Sequence, residues 1–312
     1  MTFKTLGLLI GAAVVALPMA TANAGPNSPI ASNGETFENA EIGYSKYSPS
    51  STGTGVALSG ASTLLSADKL EWLEAAVPMT APIGTESIIG TDTRKMVSNT
   101  MKFPYRAVVL IVFDTSSGQS RCTGWMISKN TLATAGHCVY DPGVGFYASS
   151  SYALYPAYTG SSAPYGSCGA KTLYTVKGWA NSGKDDYDYG AIKLDCKVGK
   201  KTGWFGFYWT KNNKKLKNKK VTITGFPGDK PYTMWYSKNK TTTIQKRRVF
   251  YKNDTTGGMS GSAVYLKKDK KCNPCAMAVH AYGTYGSPPY SNNNHGTRIT
   301  KAVYKNLQKW KK

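Results

Sequence analysis

The chain of 312 residues carries 39 Lys and Arg against 17 Asp and Glu, a formal net charge of +22. Beyond the first two dozen residues no run approaches the ~20 apolar residues a spanning helix needs, which excludes a protein built on membrane helices. A charge this large predicts adhesion to anionic surfaces or polymers and steering of acidic ligands.

In chain order, Lys4 precedes the apolar run "LGLLIGAAVVALPMA", and Ala22-Asn23-Ala24 supplies a small-residue cleavage pattern. Residues 1–24 therefore read as a signal peptide, and the rest as a secreted, extracellular protein. Residues 25–66 are rich in Ser, Gly, Thr, Asn and Ala and are expected to be extended or disordered. "ADKLEWLEAA" (67–76) predicts a short helix, and "VPMTAPIG" (77–84) a linker. Charge changes sign at Glu86: residues 1–86 hold three Lys or Arg and seven acids, whereas residues 87–312 hold 36 and ten. Glu86 is also the last glutamate, since all ten acids after it are aspartates. Residues 25–86 are read as a propeptide, and 87–312 as the mature domain.

From residue 103 short β-branched and aromatic runs recur: "YRAVVLIVFD", "TGWMI", "TLATA", "GAIKL", "KVTITGF", "SAVYL", "AMAVHAY" and "TRIT". Turn residues separate them and no long helical period intervenes, which predicts an all-β sandwich or pair of barrels. "TKAVYKNLQKWKK" spaces Val303, Leu307 and Trp310 for one closing helix over about 300–312. The basic run "KNNKKLKNKK" (211–220) reads as a solvated loop, with a polyanion patch as the sharper reading.

Six cysteines, Cys122, Cys138, Cys168, Cys196, Cys272 and Cys275, all follow Glu86. Export makes disulfides plausible, and the sequence alone leaves 15 pairings open. Cys272-x-x-Cys275 reads as a short structural bridge, because neither a βαβ pattern nor a second Cys/His pair supports a redox or zinc site. No metal or cofactor is expected.

Three segments carry chemistry together. "LATAGHCVYD" supplies His137, "DDYDYGAIKLD" supplies Asp188, and "NDTTGGMSGSAV" supplies Ser260. A serine hydroxyl needs a base to remove its proton, and the base needs a carboxylate to fix its tautomer. A nucleophile set among glycines suits a tight turn whose N–H groups face a developing oxyanion. The chain order His, Asp, Ser is that of the two-barrel serine proteases.

With "SIIGTDTR", "CTGWMISKNTLATAGHC", "YDYGAIKL", "GFPGDK", "GGMSGSAVY" and "AVHAYG…HGTRIT", essentially all of 87–312 resembles the secreted bacterial glutamyl endopeptidases, Glu-specific proteases of trypsin-like fold. The resemblance implies two six-stranded antiparallel barrels, about 103–200 and 201–300. It implies His137 as general base, Asp188 as its orienting partner, Ser260 as nucleophile, and the N–H groups of Gly258 and Ser260 as oxyanion hole. It implies a Cys122–Cys138 bridge and a short Cys272–Cys275 bridge, which leaves Cys168 with Cys196. His280 and Thr255 fall where the family binds the substrate glutamate, and the freed amine of Ser87 would lie nearby. Asp185 and Asp186 are left in solvent, and His295, in an Asn-rich stretch, receives no role. Two positions depart from pattern. Met259 stands where digestive trypsins carry an Asp that pairs with the new N-terminus, and Ala263 replaces a proline.

The resulting expectation is a monomeric serine endopeptidase cutting after Glu, with Asp as a secondary site, made as a proenzyme and processed after Glu86. Arg94-Lys95 is the competing processing site. The main alternative cleaves after Lys or Arg with Asp254, six residues before Ser260, as its pocket charge. Against it, the mature section holds 36 potential Lys/Arg sites and no Glu. A cationic binding protein without activity is the remaining class. Asn239-Lys240-Thr241 and Asn253-Asp254-Thr255 are glycosylation sequons, relevant only to a eukaryotic route.

Overall fold

The computed structural model describes residues 25–37, 45–57 and 87–312. The signal run, the 67–76 helix, the 77–84 linker and Glu86 lie outside the described residues. None of the described helices is long and apolar enough to cross a membrane.

The run "VVLIVF" folds as the strand Val108–Thr115, and its first six residues are all buried, as an unalternated apolar run requires. It pairs on one side with Gly118–Met126 and on the other with Ala153–Pro156. Thr131–Thr134, Gly190–Leu194 and Ala170–Val176 continue the sheet, and a bridge between Leu154 and Cys168 closes the ring into a six-stranded barrel. The second ring runs through Lys220–Gly225, Trp235–Ile244, Arg248–Tyr251, Asn294–Arg298, Cys275–Tyr282 and Ala263–Leu266, and closes where the last pairs with the first. Two six-stranded antiparallel barrels are thus formed.

The closing helix spans Lys301–Trp310, capped by the Thr300 hydroxyl, which accepts from the Val303 N–H. Its buried stripe of Val303, Leu307 and Trp310 returns the chain to the first barrel, where the Trp310 ring stacks on Tyr174 at 5.7 Å. Disulfides join Cys122 to Cys138, Cys168 to Cys196, and Cys272 to Cys275.

The described parts of the 25–66 section are extended, but they are not disordered. Pro29–Ala31 adds a strand to Ala170–Val176 of the first barrel, and Tyr47–Ser48 adds one to Gly206–Tyr208 beside the second. Backbone hydrogen bonding orders them despite their polar composition.

Candidate active site

His137 sits in a single 3-10 turn, Gly136–Cys138, directly after the strand Thr131–Thr134. Asp188 ends the turn Asp185–Tyr187, just before the strand Gly190–Leu194 that pairs with Thr131–Thr134. Two adjacent strands therefore deliver the imidazole and the carboxylate to the same end of the first barrel. The Asp188 carboxylate holds His137 at two points: Oδ2 lies 2.7 Å from Nδ1, and Oδ1 accepts the backbone N–H at 2.9 Å. Asp188 is fully buried. Burial alone would raise its carboxyl, but the His137 charge and hydrogen bonds from His137 and Tyr282 outweigh this and hold it below the ordinary carboxylate range. The Trp179 and Tyr282 rings flank the imidazole at 6.3 and 6.1 Å.

Ser260 comes from the second barrel and is 5 % exposed. Its carbonyl accepts the Thr123 N–H at 2.8 Å and lies 3.8 Å from Cys138 Sγ, so the nucleophile candidate and the histidine turn meet across the barrel interface. Only glycine fits beside it. A Cβ at Gly261 would fall 2.1 Å from Thr134 Oγ1 and 2.2 Å from the Thr123 carbonyl, and Gly261 also has a φ of +88°. Gly258, at φ +92°, gives the other side of the turn its left-handed bend.

Next to this turn lies a cluster of buried polar side chains. His280, fully buried, has Nδ1 2.5 Å from the Tyr251 hydroxyl. Burial, with the His137 and Arg248 charges, depresses its pKa to about 3, so the ring is neutral at physiological pH. Thr255 is also fully buried, and its hydroxyl has no hydrogen-bond partner among the described residues. Ser87 is seated next to it. The Ser87 N–H donates to Asn294 Oδ1 at 3.0 Å, while its carbonyl accepts from Asn294 Nδ2 at 2.6 Å and from the Thr255 N–H at 3.3 Å. Asn294 also donates to the Asn253 carbonyl.

Asp254 does not face this cluster as a free charge. Its carboxylate accepts from the Ile89 N–H at 2.8 Å, the Thr93 N–H at 3.0 Å and the Thr93 hydroxyl at 2.5 Å, anchoring the segment after Ser87. Arg94, the competing processing residue, is 6 % exposed, and its guanidinium binds Asp92, Asp229 and Thr256. Although its partial burial opposes ionisation, the Arg94 and Thr256 hydrogen bonds hold the Asp229 carboxyl at about 2. A folded-state pKa below the unfolded one stabilises above about pH 4, and that contribution is lost as pH falls toward 2. Thermal melts from pH 5 to 2 should therefore fall more steeply for the wild type than for Asp229→Asn; parallel curves would count against this linkage.

Two expectations require correction. Asp185 is not a solvent neighbour. Its carboxylate accepts from the Tyr285 hydroxyl, and its carbonyl accepts from Arg248 Nη1 at 2.5 Å and Thr297 Oγ1 at 3.1 Å. His295 is not in a loop: it lies fully buried on the strand Asn294–Arg298, with Nδ1 bound by Arg248 and its ring stacked on Tyr282 at 5.4 Å. Burial, then the Arg248 and His280 charges, push its pKa far below the usual value. Arg248, 1 % exposed, is the residue that sequence reasoning missed. With Thr297, whose hydroxyl also donates to the Asp188 carbonyl at 2.8 Å, it clamps the Asp188 turn to the second barrel. Removing the guanidinium leaves the Asp185 carbonyl and His295 Nδ1 without their buried donor, at a cost of about 1–3 kcal/mol. Arg248→Met should accordingly lower the melting temperature by several degrees, and an unchanged melt would remove the clamp from the account.

Residues 96–303 match the trypsin family profile. The chain belongs to the trypsin family. It is 38% identical to a glutamyl endopeptidase of Bacillus licheniformis over 97% of this chain and 94% of that protein. It is also 40% identical, over 72% of its length and 69% of the relative's, to a Bacillus subtilis protein called an extracellular metalloprotease. Among solved structures, a Glu endopeptidase in complex with MPD matches with a TM-score of 0.63 and 30% identity, covering 72% of this chain and 99% of that one. The chain is thus a serine protease acting on peptide substrates and a homologue of glutamyl endopeptidases. Where described His, Cys, Asp and Glu side chains cluster as a metal site would, at Cys122–His137–Cys138 and Cys168–Asp195–Cys196, the sulfurs are tied in disulfides and are not thiolate ligands.

Proposed function

We propose that this trypsin-family protease is exported, is made as a proenzyme cut after Glu86, and hydrolyses peptide bonds after glutamate. Ser260 attacks the substrate carbonyl while His137 takes its proton, and Asp188 holds the imidazole in the tautomer that can do so. The Gly258 and Ser260 N–H groups stabilise the oxyanion, a contribution of about 3 kcal/mol per donor. His137 then protonates the leaving amine, and water hydrolyses the acyl-enzyme by the same path reversed.

The observation that carries the glutamate reading is the polarity of the pocket. Its carboxylate, Asp254, is consumed by residues 89–93, which removes the charge a Lys/Arg-cleaving enzyme would need. What remains are uncharged groups: the Thr255 hydroxyl, and the neutral His280 ring, whose Nδ1 pairs with the Tyr251 hydroxyl. A neutral histidine that meets an incoming carboxylate can donate to it or share its proton, and burial strengthens either interaction. The free enzyme's His280 should therefore give the nitrogen shifts of a neutral ring from pH 8 down to about pH 4. An imidazolium signal at pH 6 would contradict this assignment.

Processing after Glu86 is supported from three sides. The solved Glu endopeptidase matches over nearly its whole length while covering 72% of this chain, the share that 87–312 represents. The Ser87 nitrogen already donates to Asn294 while the Ser87 carbonyl accepts from Thr255, so cleavage would create an α-amine next to these residues. Arg94 is buried in ion pairs and inaccessible to a processing enzyme. N-terminal sequencing of the active form tests this, with Ser87 expected, and a start at Lys95 or Met96 would overturn it.

A further inference from the structure

The leader does more than precede the cleavage site. Residues 25–37 and 45–57 supply one strand to the first barrel and one to the strand beside the second, through contacts that are mostly backbone. On the first barrel the Ser32 N–H donates to the Leu173 carbonyl at 2.9 Å, the Ser32 hydroxyl accepts the Leu173 N–H at 2.9 Å, and the Lys177 and Gly178 N–H groups donate to the Ser28 and Pro26 carbonyls. Asn27 ties this strand to the closing helix, since its carbonyl accepts from Asn306 Nδ2 at 2.9 Å. Beside the second barrel Ser51 and Trp204 exchange both backbone hydrogen bonds, at 2.9 and 2.8 Å. Ser48, 1 % exposed, packs under Lys311, whose ammonium donates to its hydroxyl.

The protease domain is shaped to receive these strands. A Cβ on Gly206 would lie 2.6 Å from the Ser48 carbonyl oxygen and 2.9 Å from the Ser50 nitrogen, as well as against Cys272; one on Gly178 would lie 2.7 Å from the Pro26 carbonyl oxygen, as well as against Tyr187. Charge adds to the fit, because residues 25–57 carry one Lys against three acids and residues 87–312 carry 36 Lys or Arg against ten.

We propose that residues 25–57 act as a strand-complementing subunit that stays docked on the outer edges of the barrels after the chain is cut ahead of Ser87. On this view the leader covers exposed sheet edges, which otherwise template aggregation, and does not serve as a plug for the cleft. The inference rests on the reading of 25–86 as a leader cut after Glu86.

The test uses the full chain carrying Ser260→Ala, which cannot digest its own leader. A recognition sequence for an unrelated viral cysteine protease is inserted within residues 58–86. After that cut, size-exclusion chromatography at about 10 µM with intact-mass detection should find leader and domain co-eluting one to one in low salt. Half-molar salt should weaken the pair, since screening removes the charge contribution. Ser32→Pro with Ser51→Pro deletes a backbone donor on each edge, together with the Ser32 hydroxyl that accepts the Leu173 N–H, without altering the domain's own sequence. These changes should release the leader, at least tenfold more weakly held. A leader that elutes free in low salt, or one retained equally with both prolines, overturns the inference. Either result leaves the proposed function standing, because that is tested by where the active enzyme starts and cuts.

Discussion

Ser260→Ala should lower kcat/KM on a glutamyl peptide about 100,000- to 1,000,000-fold, the scale seen when one member of a catalytic triad is removed. That corresponds to about 7–8 kcal/mol of barrier, at 1.36 kcal/mol per tenfold. The change removes one oxygen from a side chain that holds its place through backbone contacts, with the Ser260 carbonyl bound by Thr123 and Gly261 wedged between Thr134 and Thr123. The melting temperature should therefore stay within about 2 °C of wild type, as for substitutions away from packing and cap features. Residual activity comes from the oxyanion donors and substrate binding alone. Activity above about 1% of wild type, measured with the fold intact, would mean that another group is the nucleophile.

The second large effect is on specificity. His280→Ala should reduce kcat/KM for cleavage after Glu by about 100- to 1,000-fold, because truncating one partner of a buried hydrogen-bonded charge contact costs about 2–5 kcal/mol. The loss should be far smaller for an otherwise identical peptide with Gln before the cut, whose uncharged amide needs less from the imidazole. Labelling of Ser260 by a serine-directed covalent inhibitor should persist, since His137 keeps its two contacts to Asp188. Equal losses on the Glu and Gln peptides would make His280 a packing residue, and no loss would remove it from the pocket.

The candidate catalytic segments were legible because their chemistry is local. A histidine next to a cysteine after an apolar strand, an aspartate opening "YGAIKL" and a serine among glycines each carry the turn that presents them. The apolar strands were legible for the same reason: "VVLIVF" and "AMAVHAY" bury almost every side chain. What escaped the sequence is held by distant partners. Trp235–Ile244 is the longest strand, yet "WYSKNKTTTI" is polar, and it is ordered by six consecutive pairings with Lys220–Gly225. The leader strands "PIA" and "YS" are too short to show a period, and their contacts run through backbone. Asp185 meets Tyr285 and Arg248 across the barrel interface, a relation no local pattern encodes. His295 follows three asparagines, which read as a loop, but the Asn294 side chain satisfies the Ser87 and Asn253 backbone and allows a buried strand there.

The Asp254 anchor also explains why an attractive sequence position misleads. Six residues before Ser260, it matches a trypsin pocket charge by spacing, but its two oxygens are occupied by the segment that follows Ser87. A carboxylate that already accepts three hydrogen bonds offers little to a substrate cation. The position serves the N-terminal segment.

Digestion of a diverse peptide library with the processed enzyme, read by mass spectrometry, tests the central claim most directly. The account predicts cuts concentrated after Glu, with few after Lys or Arg. Cuts concentrated after Lys or Arg would contradict it and return the pocket to Asp254.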